Sequence, residues 1–135
     1  MILYTGAYTE PGMGNARGIG QLDFDLDNGT FGPELGVTDA QNPSYLALSV
    51  DGRCLYAVDE RTDGGVSAYR RDPDSGALVH LNNQSTEGAH PCYLCHATSG
   101  RFLLVVSSSG ANVALIPPAE HGALEPPPTV LHLPD

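Results

Sequence analysis

Residues 42–60 read NPSYLALSVDGRCLYAVDE, and residues 90–108 read HPCYLCHATSGRFLLVVSS. The two stretches align without a gap at a shift of 48 residues, the difference between Pro91 and Pro43. In each stretch, two apolar runs flank a tight turn that contains Gly, and this pattern predicts a β-hairpin. The chain is therefore built from a structural repeat. The identical aligned residues are Pro43/Pro91, Tyr45/Tyr93, Leu46/Leu94, Gly52/Gly100, Arg53/Arg101, Leu55/Leu103 and Val58/Val106.

The repeat extends beyond this hairpin. Residues 18–25 (GIGQLDFD) align with residues 65–72 (GVSAYRRD) at a shift of 47, and each segment leads into an Asp-x-Gly turn. A third copy of this part lies at residues 112–124. One complete unit then contains four predicted strands, at residues 44–49, 54–58, 66–70 and 77–82. Four antiparallel strands in about 45 residues are typical of one blade of a β-propeller.

We therefore predict an all-β fold of four-stranded antiparallel propeller blades, with about two and three-quarter blades in this chain. The expected divisions are a partial blade at residues 1–41 with its last three strands, a full blade at 42–89 and a further blade at 90–135. Closed propellers generally need about four to eight blades. The strands at the two ends would have free edges, and free edges predict self-association.

The charge of the chain limits its partners. Lys and Arg total 6 against 16 Asp and Glu, for a formal net charge of −10. Nucleic acids and anionic membranes are bound by clustered basic residues, so neither is an expected partner. The longest clearly apolar run, residues 102–106, is too short to span a bilayer. The first residues lack the pattern of a signal peptide, and three cysteines do not suggest a disulfide framework, so we expect a cytoplasmic protein.

Antiparallel pairing predicts where a site would lie. In a blade of strands A to D, the D–A and B–C connections lie on one rim, and the A–B and C–D turns lie on the other. We call these the loop rim and the turn rim. The loop rim has the more varied side chains, and loops on a rigid scaffold commonly carry function. Its predicted residues are Asn42, Glu60, Arg61, Thr62, Asp63, His90 and residues 107–112.

Four segments resemble a known family: YTGAYT at residues 4–9, NPSYLA at 42–47, DGRCLYAVDE at 51–60 and GAHPCY at 88–93. Their order and spacing are similar to the seven-bladed β-propeller lactonases, the cycloisomerase-type 6-phosphogluconolactonase group that includes carboxymuconate cyclases. The resemblance covers the N-terminal portion of such a protein, since seven units would need about 330 residues. It implies an enzyme without a cofactor that hydrolyses a sugar lactone, such as 6-phosphogluconolactone, to 6-phosphogluconate in the pentose phosphate route.

The resemblance also implies site residues. Glu60 matches the acidic position of the family, and we predict it as the general base that activates a water. Arg61, His90 and Tyr93 are predicted to bind the substrate, with Tyr93 at a position where the family usually has His. Two alternatives stay open at this point. Glu60 could instead cap its loop and pair with Arg61, and the chain could be a truncated propeller fragment or a non-catalytic protein-interaction module.

Two metal-like motifs are better explained by the repeat. Cys92 to His96 matches the C-x-x-C-H haem pattern, but in a strand Cys92 and Cys95 would point to opposite faces. The acidic residues around Asp25 resemble a calcium loop, but Gly stands one position too late, and the aligned segment after Asp72 is a plain turn. We therefore predict no metal site and no cofactor.

Overall fold

A computed structural model describes residues 1–127 and 129–134, in which eleven strands form three antiparallel sheets. The first sheet has the order β1-β2-β3, and the second (β4 to β7) and third (β8 to β11) each place four strands in sequence order. The predicted all-β fold of consecutive blades is confirmed. Pro128 and Asp135, in the last predicted unit, lie outside the described residues. The strands are β1 (Ile2–Thr5), β2 (Ile19–Asp25), β3 (Thr30–Thr38), β4 (Leu46–Leu48), β5 (Cys54–Asp59), β6 (Gly65–Arg71), β7 (Leu78–Ser85), β8 (Pro91–His96), β9 (Leu103–Ser107), β10 (Asn112–Ile116) and β11 (Thr129–His132).

The strand bounds of the second sheet differ from the predicted ones mainly at its edges. The central strands β5 and β6 each extend the prediction by a residue at one or both ends. The edge strand β4 covers only Leu46–Leu48, because Ser44 and Tyr45 already belong to the loop rim. The other edge strand, β7, continues to Ser85. It pairs with β6 on both sides of a register shift beside Ala68, and the last pair is Gly65 with Ser85.

The turns have the same geometry in each repeat. Gly52 and Gly100 occupy the matching A–B turns with φ of 71° and 70°, a left-handed conformation that favours Gly. In the C–D turns, the carboxylate of Asp25 accepts hydrogen bonds from the backbone N–H of the two residues after Leu26, and Asp72 does the same. The Asn28 side chain also donates to Asp25, and this bond together with the backbone bonds lowers the pKa of Asp25. The bonds from Ser75 and Asp74 lower the pKa of Asp72. The interpretation of the Asp25 segment as a turn is confirmed.

Two hydrophobic cores join the sheets. At the first seam, between the first and second sheets, Ile19 packs against Leu55, Ala57 and Tyr69. The second seam lies between the second and third sheets and is larger. Its buried residues are Cys54, Tyr56, Val58, Val66, Ala68, Leu94, Leu103, Val105, Ala114, Ile116 and Leu124. Within the described part of the chain, no helix is long and apolar enough to cross a membrane.

Candidate functional site

On the loop rim, the chain turns sharply at the residue before a proline. Asn42 and His90 occupy aligned positions, and both have positive φ, at 42° and 57°. Asn is among the residues that tolerate this conformation best. The following prolines, Pro43 and Pro91, are buried. Each blade thus begins with the same sharp entry, which delivers the next side chain, Ser44 or Cys92, to the rim.

Asn42 fixes the loop of the first sheet to the second sheet. Its side chain is fully buried, and its Oδ1 accepts hydrogen bonds from the backbone N–H of Thr9 (2.9 Å) and Glu10 (3.1 Å). Its Nδ2 donates to Glu10 Oε2 (3.1 Å) and to the backbone oxygen of Glu60 (3.3 Å). Asn42 therefore links three parts of the loop rim, and its role here is to position them.

Glu60 lies where β5 ends, at the centre of this arrangement. The Ser44 hydroxyl donates a hydrogen bond to Glu60 Oε2, and the backbone N–H of Glu60 donates to the oxygen of Asn42 (3.2 Å). The phenol of Tyr8, from the loop after β1, lies near enough to the Glu60 carboxylate for its pKa to be affected by it. Glu60 is thus a half-buried carboxylate that is held by Ser44 and bordered by Tyr8 at the first seam.

The contact with Glu60 changes the chemistry of Tyr8. The neighbouring Glu60 carboxylate, together with burial, raises the pKa of the Tyr8 phenol. The phenol consequently stays protonated and remains a hydrogen-bond donor at neutral pH. Cys92 lies close enough to contribute to the same shift, so the third sheet also borders this cluster. We call Glu60, Ser44, Tyr8 and Cys92 the Glu60 cluster.

Arg61 does not pair with Glu60. Its guanidinium forms a two-point ion pair with Asp59, with Nε 2.6 Å from Oδ1. The alternative that Glu60 pairs with Arg61 is therefore wrong, because the guanidinium is bound by Asp59. Arg61 also lines a cleft of ≈ 410 Å³ at the first seam, beside Glu10 and Asp39. It shares the loop rim with Glu60.

His90 contributes mostly through its backbone. Its N–H donates to the Arg61 oxygen (2.9 Å), and its own oxygen accepts from the N–H of Ser108 (3.0 Å). These bonds connect the loop rims of the second and third sheets. The Nδ1 atom of the His90 ring is buried and has no hydrogen-bond partner in the described chain.

Tyr93 lies beside its counterpart in the preceding repeat. The rings of Tyr93 and Tyr45 are 4.9 Å apart and inclined at 58°. Both side chains remain exposed, at 41% and 39%. The pair offers an exposed aromatic surface, and such surface can pack against the apolar face of a ligand.

The sequence did not identify Tyr8 or Ser44 as site residues. Ser44 carries a usable signal, because it follows the repeated Asn-Pro or His-Pro pair and its counterpart is a reactive residue type, Cys92. Tyr8 has no aligned counterpart within the chain. Its place at the site depends on how the loop between β1 and β2 folds back onto the second sheet.

Possible metal ligands are dispersed. No group of three or more His, Cys, Asp or Glu side chains within residues 1–127 and 129–134 is arranged to hold a metal ion. Cys54, Cys92 and Cys95 are free thiols. The thiol of Cys92 approaches the backbone oxygen of Val106 at 3.8 Å, whereas Cys95 contacts the phenol of Tyr93, so the two have different surroundings.

The chain matches the model of one protein family, described as lactonases with a 7-bladed β-propeller, over residues 2–134. A 6-phosphogluconolactonase of Bacillus subtilis is 30% identical over 125 residues, which are 92% of this chain and 35% of that protein. A 6-phosphogluconolactonase of Formosa agariphila is 29% identical over 91% of this chain and 35% of its own length. The chain thus spans about a third of the length of these two relatives.

Solved structures agree with these matches. A Bacteroides fragilis protein, provisionally described as a 6-phosphogluconolactonase, superposes with a TM-score of 0.88 at 35% identity over 98% of this chain and 36% of its own. A periplasmic gluconolactonase of Pseudomonas aeruginosa superposes with a TM-score of 0.86 at 33% identity, over 96% of this chain and 38% of its own.

Proposed function

The chain belongs to the family of lactonases with a 7-bladed β-propeller, and we propose that it provides part of the active site of an enzyme that hydrolyses a sugar lactone. The proposed substrate is a lactone of the 6-phosphogluconolactone type, which the relatives from Bacillus subtilis and Formosa agariphila are named for. The chain covers about a third of those relatives, so the activity is proposed for the complete ring.

One observation supports this function above the others. The carboxylate of Glu60 accepts a hydrogen bond from the Ser44 hydroxyl, and the phenol of Tyr8 is nearby. Among the described residues, Glu60 forms no ion pair with a basic side chain. Glu60 is therefore an oriented carboxylate without a competing cation.

The proposed reaction uses Glu60 as general base. Glu60 accepts a proton from a water molecule as the water oxygen forms a bond to the lactone carbonyl carbon. The negative charge that develops on the carbonyl oxygen requires hydrogen-bond donors nearby. The ring C–O bond then breaks, and the proton returns from Glu60 to the departing ring oxygen. The product is the open hydroxy acid.

The other predicted residues would bind the substrate. Arg61 has guanidinium N–H groups beyond those that contact Asp59, and these suit a phosphate or hydroxyl oxygen. The unpartnered ring nitrogen of His90 is a second polar group on the loop rim. Tyr93, with Tyr45, would pack against the carbon face of the sugar.

The second candidate function is a non-catalytic interaction module. The observation that favours it is the outward face of the third sheet, where Leu104, Val106, Val113 and Leu115 remain partly exposed and belong to neither core. Such an apolar sheet face is suited to association with another protein surface. Under this proposal the chain would self-associate and would not hydrolyse lactones.

The two functions are separated by hydrolysis of 6-phosphogluconolactone in the intact protein that carries this chain. We expect Glu60→Gln to lower kcat/KM by about a hundredfold to ten-thousandfold, the usual contribution of a general base, with an unchanged melting temperature. Glu120→Gln is the matched control, because Glu120 is an exposed carboxylate on the turn rim. Full turnover by Glu60→Gln would rule out its role as base, and absence of turnover in the unsubstituted protein would favour the module.

A further inference from the structure

A second cavity lies on the turn rim, on the opposite side of the blades from Glu60. It opens between the A–B turn of the second sheet, around Val50, and residues 118–122 of the third sheet. Its volume is ≈ 530 Å³, which is in the usual range for small-molecule sites. Both sheets that form it are complete four-stranded blades, so the cavity does not depend on further blades.

The ring of His96 lines this cavity. Both of its ring nitrogens are buried and lack a hydrogen-bond partner in the described chain, so the cavity meets the carbon atoms of the ring. The His96 ring meets that of Tyr56 edge-on, with centroids 5.6 Å apart. Burial lowers the pKa of His96, which favours the neutral ring, and the two rings form an uncharged aromatic wall.

Arg70 supplies positive charge at the mouth. It pairs across the strands with Cys54, so both side chains leave the sheet on the face that borders the cavity. The Arg70 side chain is exposed and forms no ion pair among the described residues. Arg53 also lines the mouth, and its own contact with Asp51 is long, at 3.9 Å.

The far wall is held firmly against the second sheet. The phenol of Tyr56 donates to the backbone oxygen of Gly122 at 3.0 Å, and the turn is closed by Gly122 N–H donating to Ala119 O at 2.9 Å. A Cβ at Gly122 would lie only 2.2 Å from the sulfur of Cys54. The wall is thus close-packed on one side, which gives the cavity a fixed shape.

We propose that this cavity binds a small organic anion with one acidic group and a compact uncharged body. The acidic group would lie against Arg70, and the body against Tyr56, Pro118 and the ring of His96. Two carboxylates also line the cavity, Asp51 and Glu120. Asp51 is engaged by the Ser49 hydroxyl (2.6 Å) and the Arg53 N–H (3.0 Å). Their charge disfavours ligands with several acidic groups. This site is independent of the proposed lactonase activity.

The test is titration of the intact protein with benzoate, followed by calorimetry and by the ring-nitrogen NMR signals of His96. We expect benzoate to bind and to shift the His96 signals. Arg70→Gln should weaken binding by about tenfold, since a charge-assisted hydrogen bond contributes roughly that much. His96→Ala should weaken it as well, because it removes the ring from the wall. Arg101→Gln is the matched control, because Arg101 holds in the third sheet the position of Arg53 but does not line the cavity. Glu60→Gln should also leave binding unchanged.

Several results would overturn the proposal. Failure of benzoate to bind, or binding that leaves the His96 signals unmoved, would contradict it. Equal losses in Arg70→Gln and Arg101→Gln would mean that only diffuse charge is involved. Binding of inorganic phosphate through Arg70, together with no binding of benzoate, would contradict the predicted uncharged body of the ligand.

Discussion

The second and third sheets have aligned strands but different burial. Tyr56 and Val58 of β5 are each 1% exposed, whereas the aligned Leu104 and Val106 of β9 are partly exposed. All four residues are on the same side of their sheets. The third sheet covers Tyr56 and Val58, and no described part of the chain covers Leu104 and Val106. The neighbouring sheet, more than the residue type, decides which positions become core.

On the opposite faces of β5 and β9, the aligned residues are equally buried. Leu55 and Ala57 are buried at the first seam, and the aligned Leu103 and Val105 are buried at the second. Strand β9 therefore alternates between buried and partly exposed residues, while β5 is buried almost throughout. Each blade carries two apolar faces and is suited to stacking on both sides.

The largest difference in the free energy of unfolding should be between substitutions of two adjacent residues on β9, Leu103 and Leu104. Leu103→Ala leaves a cavity in the second seam and should lower the free energy of unfolding by about 2–5 kcal/mol. Leu104→Ala removes a side chain from the open face and should cost less than about 1 kcal/mol. Urea denaturation of both variants checks this. Similar losses would mean that Leu104 is covered in solution, for instance by a second copy of the chain.

A smaller difference in the free energy of unfolding is expected between substitutions of two buried asparagines, Asn42 and Asn112. Asn42→Ala would leave the backbone N–H groups of Thr9 and Glu10 without their acceptor, and we expect a loss of about 2 kcal/mol or more. Asn112 is equally buried, but only its Nδ2 is bonded, to the oxygen of Thr86 at 3.0 Å. Asn112→Ala should therefore cost about 1 kcal/mol.

Denaturation of both variants tests the order of these losses. Asn42→Gly is the matched variant for backbone strain, since Gly tolerates the positive φ that Ala resists. A larger loss for Asn112→Ala than for Asn42→Ala would contradict the hydrogen-bond account of the first seam.

The smallest expected effect is the pH dependence of the free energy of unfolding that comes from His96 at the second seam. Because burial lowers the pKa of His96 in the folded state, the unfolded chain binds a proton there at higher pH than the folded chain does. The free energy of unfolding should hold its full value above about pH 6.5, the ordinary pKa of His, and should fall as the pH drops below it.

His96→Phe should remove that part of the pH dependence, as measured by melting temperature between neutral and mildly acidic pH. His132→Gln is the control, because His132 is exposed on the outer strand β11. An identical slope in His96→Phe and the unsubstituted protein would mean that His96 is not the group responsible.

Much of this architecture could be predicted because repeated positions obey repeated constraints. The turn residues Gly52 and Gly100 and the capping Asp25 and Asp72 each serve the same geometry twice. Strand ends were less predictable, since β4 is shortened by the reversal that begins at Asn42. These features are local, so the aligned sequences contain them.

The site was only partly predictable, because its contacts cross the seams. Glu60 was identified through a resemblance, but its neighbour Tyr8 comes from a loop that has no second copy in the chain. The partner of Arg61 could not be chosen from sequence, since Asp59 and Glu60 are both near it. Likewise, the cavity around His96 exists only where two turn regions meet, and neither turn alone suggests it.

We propose that Tyr8, from the loop after β1, acts through the carboxylate of Glu60. A double-mutant cycle of Tyr8→Phe and Glu60→Gln tests it most directly, with kcat/KM for 6-phosphogluconolactone as the readout in the intact protein. If Tyr8 works by orienting Glu60, the double variant should be no slower than Glu60→Gln alone. Losses that multiply would show that the two residues act independently and would contradict the account.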